Sequence, residues 1–143
     1  MKYLCLVYLS QDNWNACPDK TCFAFAEQLA ATGRMLAAEP LHPVQTATTV
    51  RVRNGQMSMT DGPFAETKEQ LAGFYLIDAK DLNEAVSWAA KIPPSKYGSV
   101  EVRPVRELDV TRPVQFLVLL EKHRNKHDNQ RNDKRPSLLL PIH

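Results

Sequence analysis

Residues 48–61, TTVRVRNGQMSMTD, constrain the fold more than any other stretch of the chain. Asn54-Gly55 is the preferred dipeptide of a two-residue type I′ hairpin, because both central positions need a positive φ. Such a turn sets the pairing on either side of it. It predicts Arg53 opposite Gln56, Val52 opposite Met57, Val50 opposite Met59 and Thr48 opposite Asp61. Side chains alternate along a strand, so Asp61 falls on the same face as Met57 and Met59, at the end of an apolar row. A carboxylate held on an apolar face is a candidate general acid or base, since lost hydration raises its pKa. The plainer alternative is an Asx turn, with Asp61 shaping the backbone before Gly62-Pro63.

The remaining elements follow from periodicity. Residues 2–9, KYLCLVYL, are apolar on both alternating faces, as expected of a central strand covered on both sides. Asp19 reads as the N-cap of a helix running to about Thr32, with Phe23, Ala26, Leu29 and Ala30 as its apolar stripe. Gly33 suits the position after that helix. RMLAAEPL is a second strand, ending near Pro40 and Pro43. GPFAETKEQ reads as a turn with one helical turn, and GFYLIDA as a strand. Asp81-Leu-Asn-Glu84 is a capping box opening a second helix, with Ala85, Val86, Ala89 and Ile92 buried and Pro93-Pro94 as its stop. GSVEVRPV, with Val100 and Val102 facing in, closes the body. The order β-α-β-β-β-β-α-β is an α+β chain, a ferredoxin-like split βαβ unit carrying an extra hairpin.

Composition bounds the function classes. The chain has 143 residues and 24% charged content, ordinary for one soluble domain. Its net charge of +2 is unevenly placed. Residues 121–135 hold six basic and three acidic side chains, and the rest of the chain 12 basic and 13 acidic, a net −1. A near-neutral body lacks the clustered basic face that nucleic acid requires. No apolar run reaches the ~20 residues needed to span a bilayer, and the N-terminal stretch reads as a strand, not a signal peptide. Three cysteines, an odd number, are expected as reduced thiols in a cytoplasmic protein. Residues 1–109 form the expected domain, and 110–143 an extension. There VQFLVLL reads as a strand or short helix, followed by a polar arm or disordered tail.

The string DGPFAETKEQ, with LAAEPL before it and YGSVEVRPVREL after it, resembles the DGPF-domain proteins of the YCII-related superfamily. The resemblance covers about Met1 to Leu108. It implies a dimeric α/β barrel, in which two ferredoxin-like units pack sheet to sheet with a cleft in each. The superfamily includes a dehydrochlorinase of aromatic degradation, its fold is similar to that of muconolactone isomerase, and some DGPF proteins are associated with extracytoplasmic-function sigma factors. The site proposed for the superfamily pairs a His on the first helix with an Asp. Counting back from Gly33-Arg34, the His position falls on Cys22, so this chain departs from that dyad.

The candidate chemistry is therefore short. Asp61 is the expected proton-transfer residue. Cys22, near a helix N-terminus where a thiolate is favoured, is a candidate site thiol, with simple packing as the plainer reading. Gly62, Pro63 and Phe64 form the turn and a cleft wall, and Glu66 and Lys68 are charged groups within reach of it. A zinc site from Cys17, Cys22 and His42 has irregular spacing and lacks a fourth ligand, so no metal is expected. His42, between Leu41 and Pro43, reads as a strand-end residue. There is no phosphate-cradling glycine loop, no Ser-His-Asp order and no haem motif, so no cofactor is expected. Two function classes remain. One is a cofactor-independent enzyme of lyase or isomerase type, a homodimer acting on a small organic molecule near Asp61. The other is a noncatalytic ligand-binding or regulatory protein, working with a sigma factor or through its tail.

Overall fold

The computed structural model describes residues 1–110 and Arg124, and residues Met1–Arg106 form one compact unit. The expected strand or helix at residues 114–120, the basic segment around Arg124 and the apolar end at 137–143 lie outside the described residues. Six strands and two α-helices alternate in the order read from the sequence: β1 (Lys2–Ser10), α1 (Asp19–Ala31), β2 (Met35–Pro40), β3 (Thr48–Arg53), β4 (Gln56–Asp61), β5 (Glu69–Asp78), α2 (Leu82–Ala89) and β6 (Ser99–Pro104). The main sheet runs β2-β5-β1-β6, every neighbour antiparallel, and β3-β4 stand apart as a two-stranded ribbon. With the ribbon set aside, the strand order is that of a ferredoxin-like split βαβ fold.

The ribbon has the predicted register at every pair, from Arg53–Gln56 to Thr48–Asp61. Asn54 (φ 54°) and Gly55 (φ 73°) both take the left-handed conformation that a type I′ turn requires. Its base is closed by the Gly62 amide donating to the Ala47 carbonyl at 2.8 Å. The Thr49 hydroxyl donates to the Gly62 carbonyl at 2.9 Å. The turn after β4 is therefore held by backbone and Thr49. Its apolar row is open to solvent, with Val50, Val52, Met57 and Met59 each more than half exposed.

Both helices cover one face of the main sheet. Tyr3, Cys5 and Val7 of β1 and Ile77 of β5 meet Phe25 and Leu29 of α1 and Ala85 and Ala89 of α2. The α1 stripe is shifted from the expected one. Phe25 and Leu29 are buried, whereas Phe23 is 66% exposed and Ala30 is exposed. Two stripes three and four residues apart fit this helix equally well, and packing selects the one that sets Phe25 edge-on to Tyr75, 5.6 Å between centroids. Val86 of α2 likewise faces outward. The expected helical turn within residues 62–68 is absent, and β5 instead begins at Glu69.

Helix starts differ between the two helices. Asp81 caps α2 as expected, its Oδ1 accepting from the Glu84 amide at 2.9 Å. Asp19 is the first residue of α1 and not its cap; Pro18 occupies that position and offers no side-chain acceptor. Asp81→Ala is therefore expected to cost about 1 kcal/mol, and Asp19→Ala only a few tenths, from lost interaction with the helix dipole. Urea denaturation of the two variants checks this ranking.

The opposite sheet face has no described helix against it. Leu4 pairs with Leu76, Leu6 with Phe74 and Tyr8 with Leu71, all on this face, and most are half-buried. The register of β1 against β5 shifts between Val7 and Tyr8. Such a bulge re-aims the side chains beyond it, here Tyr8 and Leu71 at the end of the open face.

Candidate functional site

Three chain segments far apart in sequence meet at that end of the open face. Tyr8 comes from β1, residues 41–47 link β2 to β3, and residues 63–71 run from the DGPF turn into β5. They line a cavity of about 570 Å³ whose walls include Leu41, Val44, Phe64 and Leu71. Tyr8, His42, Thr46, Thr67 and Gln70 supply its polar groups. A neighbouring cavity of about 400 Å³ shares Pro43, Val44, Thr67 and Gln70 and adds Gln11, Trp14 and Lys68. Largely apolar walls with a few convergent polar groups are the usual make-up of a small-molecule site.

The loop from the DGPF turn into β5 is held by its own side chains. The Gln70 amide nitrogen donates to the carbonyls of Thr67 (2.8 Å) and Ala65 (3.3 Å), and the Thr67 hydroxyl donates to the Glu69 carbonyl. Glu69 is engaged with β6, accepting from the Ser99 hydroxyl at 2.7 Å. Phe64 sits at the tip, 79% exposed, with the Arg51 guanidinium 5.8 Å from its ring centroid. Gln70 and Thr67 thus shape this wall of the cavity, and Phe64 forms its outer edge.

The sequence candidates distribute unevenly over this geometry. Pro63 and Phe64 line the main cavity and Lys68 the smaller one. Gly62, with φ 108°, makes the turn without lining either. Glu66 is exposed and outside both. Asp61 is exposed at the end of β4 and lines neither cavity, so the apolar enclosure expected around it is not formed by the described residues of one chain. His42, read from the sequence as a strand-end residue, is in the cavity wall. Its signal was its place between Pro40 and Pro43, which turns the chain out of β2 and back across the sheet edge.

Cys22 belongs to the other side of the sheet. It lies in the first turn of α1 on the Phe25 side, half-buried, with its Sγ 3.0 Å from that of Cys17. Burial pushes its thiol up to about 12, and the hydrogen bond and charge of Cys17 and the charge of Asp19 act the same way. The expected thiolate at a helix N-terminus is therefore disfavoured here, because burial and two acidic neighbours outweigh the dipole. Tyr75, close by, is raised to about 12 by burial and then by Cys22 and Cys17. Asp61 and Cys22 are not brought into one site. Among the described residues no three His, Cys, Asp or Glu side chains group as a metal site, and no helix is long and apolar enough to cross a membrane.

Comparison with known proteins gives three findings. The YCII-related domain matches residues 1–109. An uncharacterized protein of Rhizobium meliloti (strain 1021) is 44% identical over 85 residues, covering 57% of this chain and 68% of that protein. Among solved structures, the chain is similar to 5-chloro-2-hydroxyhydroquinone dehydrochlorinase of Burkholderia phenoliruptrix AC1100, in complex with 2,5-dihydroxybenzoquinone. That likeness has a TM-score of 0.47 and 16% identity, over 76% of this chain and 96% of the other.

Proposed function

Since the chain belongs to the YCII-related family, we propose that its cleft binds a small, largely apolar organic molecule and that His42 moves a proton on it. The observation that carries this reading is the convergence of Tyr8, His42 and the DGPF loop on one cavity. Phe64, Leu71 and Val44 supply apolar contact, the Tyr8 hydroxyl is a donor for a ligand oxygen, and the Thr67 oxygen, its proton held by the Glu69 carbonyl, can accept from a ligand hydroxyl. An imidazole carries one nitrogen that donates and one that accepts, so one side chain can take a proton from one ligand atom and give one to another. His42 thus takes the role that sequence alone offers to Asp61. A lyase or isomerase reaction without a cofactor fits such a site.

The protein acts as a homodimer in this proposal. The half-buried row Leu4, Leu6, Tyr8, Phe74 and Leu76 is one continuous apolar sheet face, of the kind that a second copy covers. Burying it would also enclose the cleft beside Tyr8.

The test is a ligand-observed NMR screen with small phenols, enones and aromatic acids, followed by chemical-shift mapping. Hits are expected to perturb Tyr8, His42 and Leu71, and Phe64→Ala to weaken them about tenfold through loss of aromatic contact. His42→Gln is expected to retain binding and lose turnover of any substrate found, while Asp61→Asn leaves both unchanged. Shifts clustered at Asp61, with Tyr8 and His42 silent, would overturn the site assignment. Binding without turnover in the wild type would favour the noncatalytic ligand-binding class. Light scattering at micromolar concentration is expected to show a dimer that Leu6→Glu dissociates; a wild-type monomer would sink that part.

A further inference from the structure

The observation left unused by the cleft is the cysteine pair on the helix side of the sheet. Cys17 and Cys22 are separated by four residues, Cys17 in the connection before α1 and Cys22 in its first turn. Their sulfurs are 3.0 Å apart, roughly 1 Å more than a disulfide bond. Both side chains are half-buried, so each is reachable from solvent, whereas Cys5 is fully buried in the core.

We propose that Cys17 and Cys22 are a reversible dithiol–disulfide site, oxidised by a small hydroperoxide. The sulfur of Cys17 attacks the distal oxygen of the peroxide, its thiol proton passing to the departing oxygen. An S–O bond forms, the O–O bond breaks, and the departing alkoxide or hydroxide takes a proton, leaving Cys17 as a sulfenic acid. The sulfur of Cys22 then attacks that of Cys17. The S–S bond forms as the S–OH bond breaks, and the hydroxide leaves as water with the proton of Cys22. Two electrons pass from the two thiols to the peroxide, and the products are a disulfide, an alcohol or water, and water.

The order of events follows from the surroundings. Cys17 lies in the connection before α1 and Cys22 within the first turn of the helix, so Cys17 meets the peroxide and Cys22 is the resolving thiol; burial and the neighbouring Cys17 and Asp19 also hold the Cys22 proton in place. Cys5 does not compete, since burial raises its thiol to about 11 and denies it contact with solvent. The spacing also gives the bond a mechanical reach. Residues 11–17 form one wall of the smaller cavity through Gln11, Trp14 and Asn15, and the Asn13 amide nitrogen holds that wall to the Tyr97 carbonyl at 3.0 Å. A disulfide would tie the far end of this wall to α1, three residues along the chain from Trp14.

The test uses the full-length chain, reduced, freed of reductant and treated with a stoichiometric amount of hydrogen peroxide. The proposal expects loss of two of the three thiols and an intact mass lower by two hydrogen atoms. A peptide map should join Cys17 to Cys22, and dithiothreitol should restore all three thiols. In Cys22→Ser the reaction is expected to stop at a sulfenic acid on Cys17, which a dimedone reagent traps with a gain in mass. Oxygen added to wild-type cysteines without loss of hydrogen, or a cross-link involving Cys5, would overturn it. So would survival of all three thiols under conditions that oxidise glutathione. None of these outcomes depends on what the cleft binds.

Discussion

Gly98→Ala is expected to be the most damaging small substitution in the described unit, costing about 3 kcal/mol and lowering Tm by ten degrees or more, on the order expected for a domain of this size. A Cβ at this position would stand 2.0 Å from the carbonyl oxygen of Tyr8 and 2.9 Å from a methyl of Leu9. The methyl can rotate away; the carbonyl cannot, because Tyr8 pairs with Ser99 and Leu71 in the centre of the sheet. Relief therefore requires the start of β6 to move off β1. Gly73→Ala is the graded comparison. There the added Cβ would meet the Glu39 carbonyl oxygen at 2.9 Å, across the bond between β2 and β5. The Pro40 Cα stands at 3.2 Å as well, so the backbone of β2 must shift from β5, and a loss of about 1–2 kcal/mol is expected. Thermal denaturation of both variants by circular dichroism checks the order, and an unchanged Tm in Gly98→Ala would contradict the strand spacing.

Leu29→Ala is expected to cost about 3 kcal/mol, and Phe23→Ala less than about 0.5 kcal/mol. Leu29 is 1% exposed, and its loss leaves a cavity between α1 and the sheet that the rigid strands cannot close. Phe23 is a larger apolar side chain on the same helix, yet it points to solvent. The comparison measures the rotation of α1 about its axis directly. Equal losses in the two variants would mean the stripe through Phe23 is the buried one. Chemical denaturation with a common m-value is the measurement.

These two predictions mark where sequence was informative and where it was not. The hairpin register was legible because Asn54 and Gly55 impose their φ angles locally, whatever surrounds them. The Asp81 cap was legible for the same reason, its acceptor lying three residues from its donor. The face of α1 was not, since Phe23 and Phe25 are equally apolar and only Tyr75, fifty residues away, separates them. The cleft was legible only on its DGPF side, where Pro63 and Phe64 line it. Tyr8, His42 and Leu71 carry no shared motif, and they meet because β1 and β5 pair with a bulge and the chain turns back between Pro40 and Pro43. The exposure of the ribbon was hidden too, as alternation reports which residues share a face without saying what covers it.

The position of β1 in the sheet carries a consequence for how the chain reaches this state. Strand β1 is a central one, flanked by β5 and β6, with Lys2 opposite Asp78 and Tyr3 opposite Pro104. A chain emerging from the ribosome holds Cys5 without its β5 partner Tyr75 for seventy residues, and without its β6 partner Val102 for nearly a hundred. Local elements such as the β3-β4 ribbon can form early, but they bury little of this core. High contact order of this kind slows folding. Of the strands in the main sheet, β1 thus waits longest for both of its partners, and its apolar surface stays exposed meanwhile.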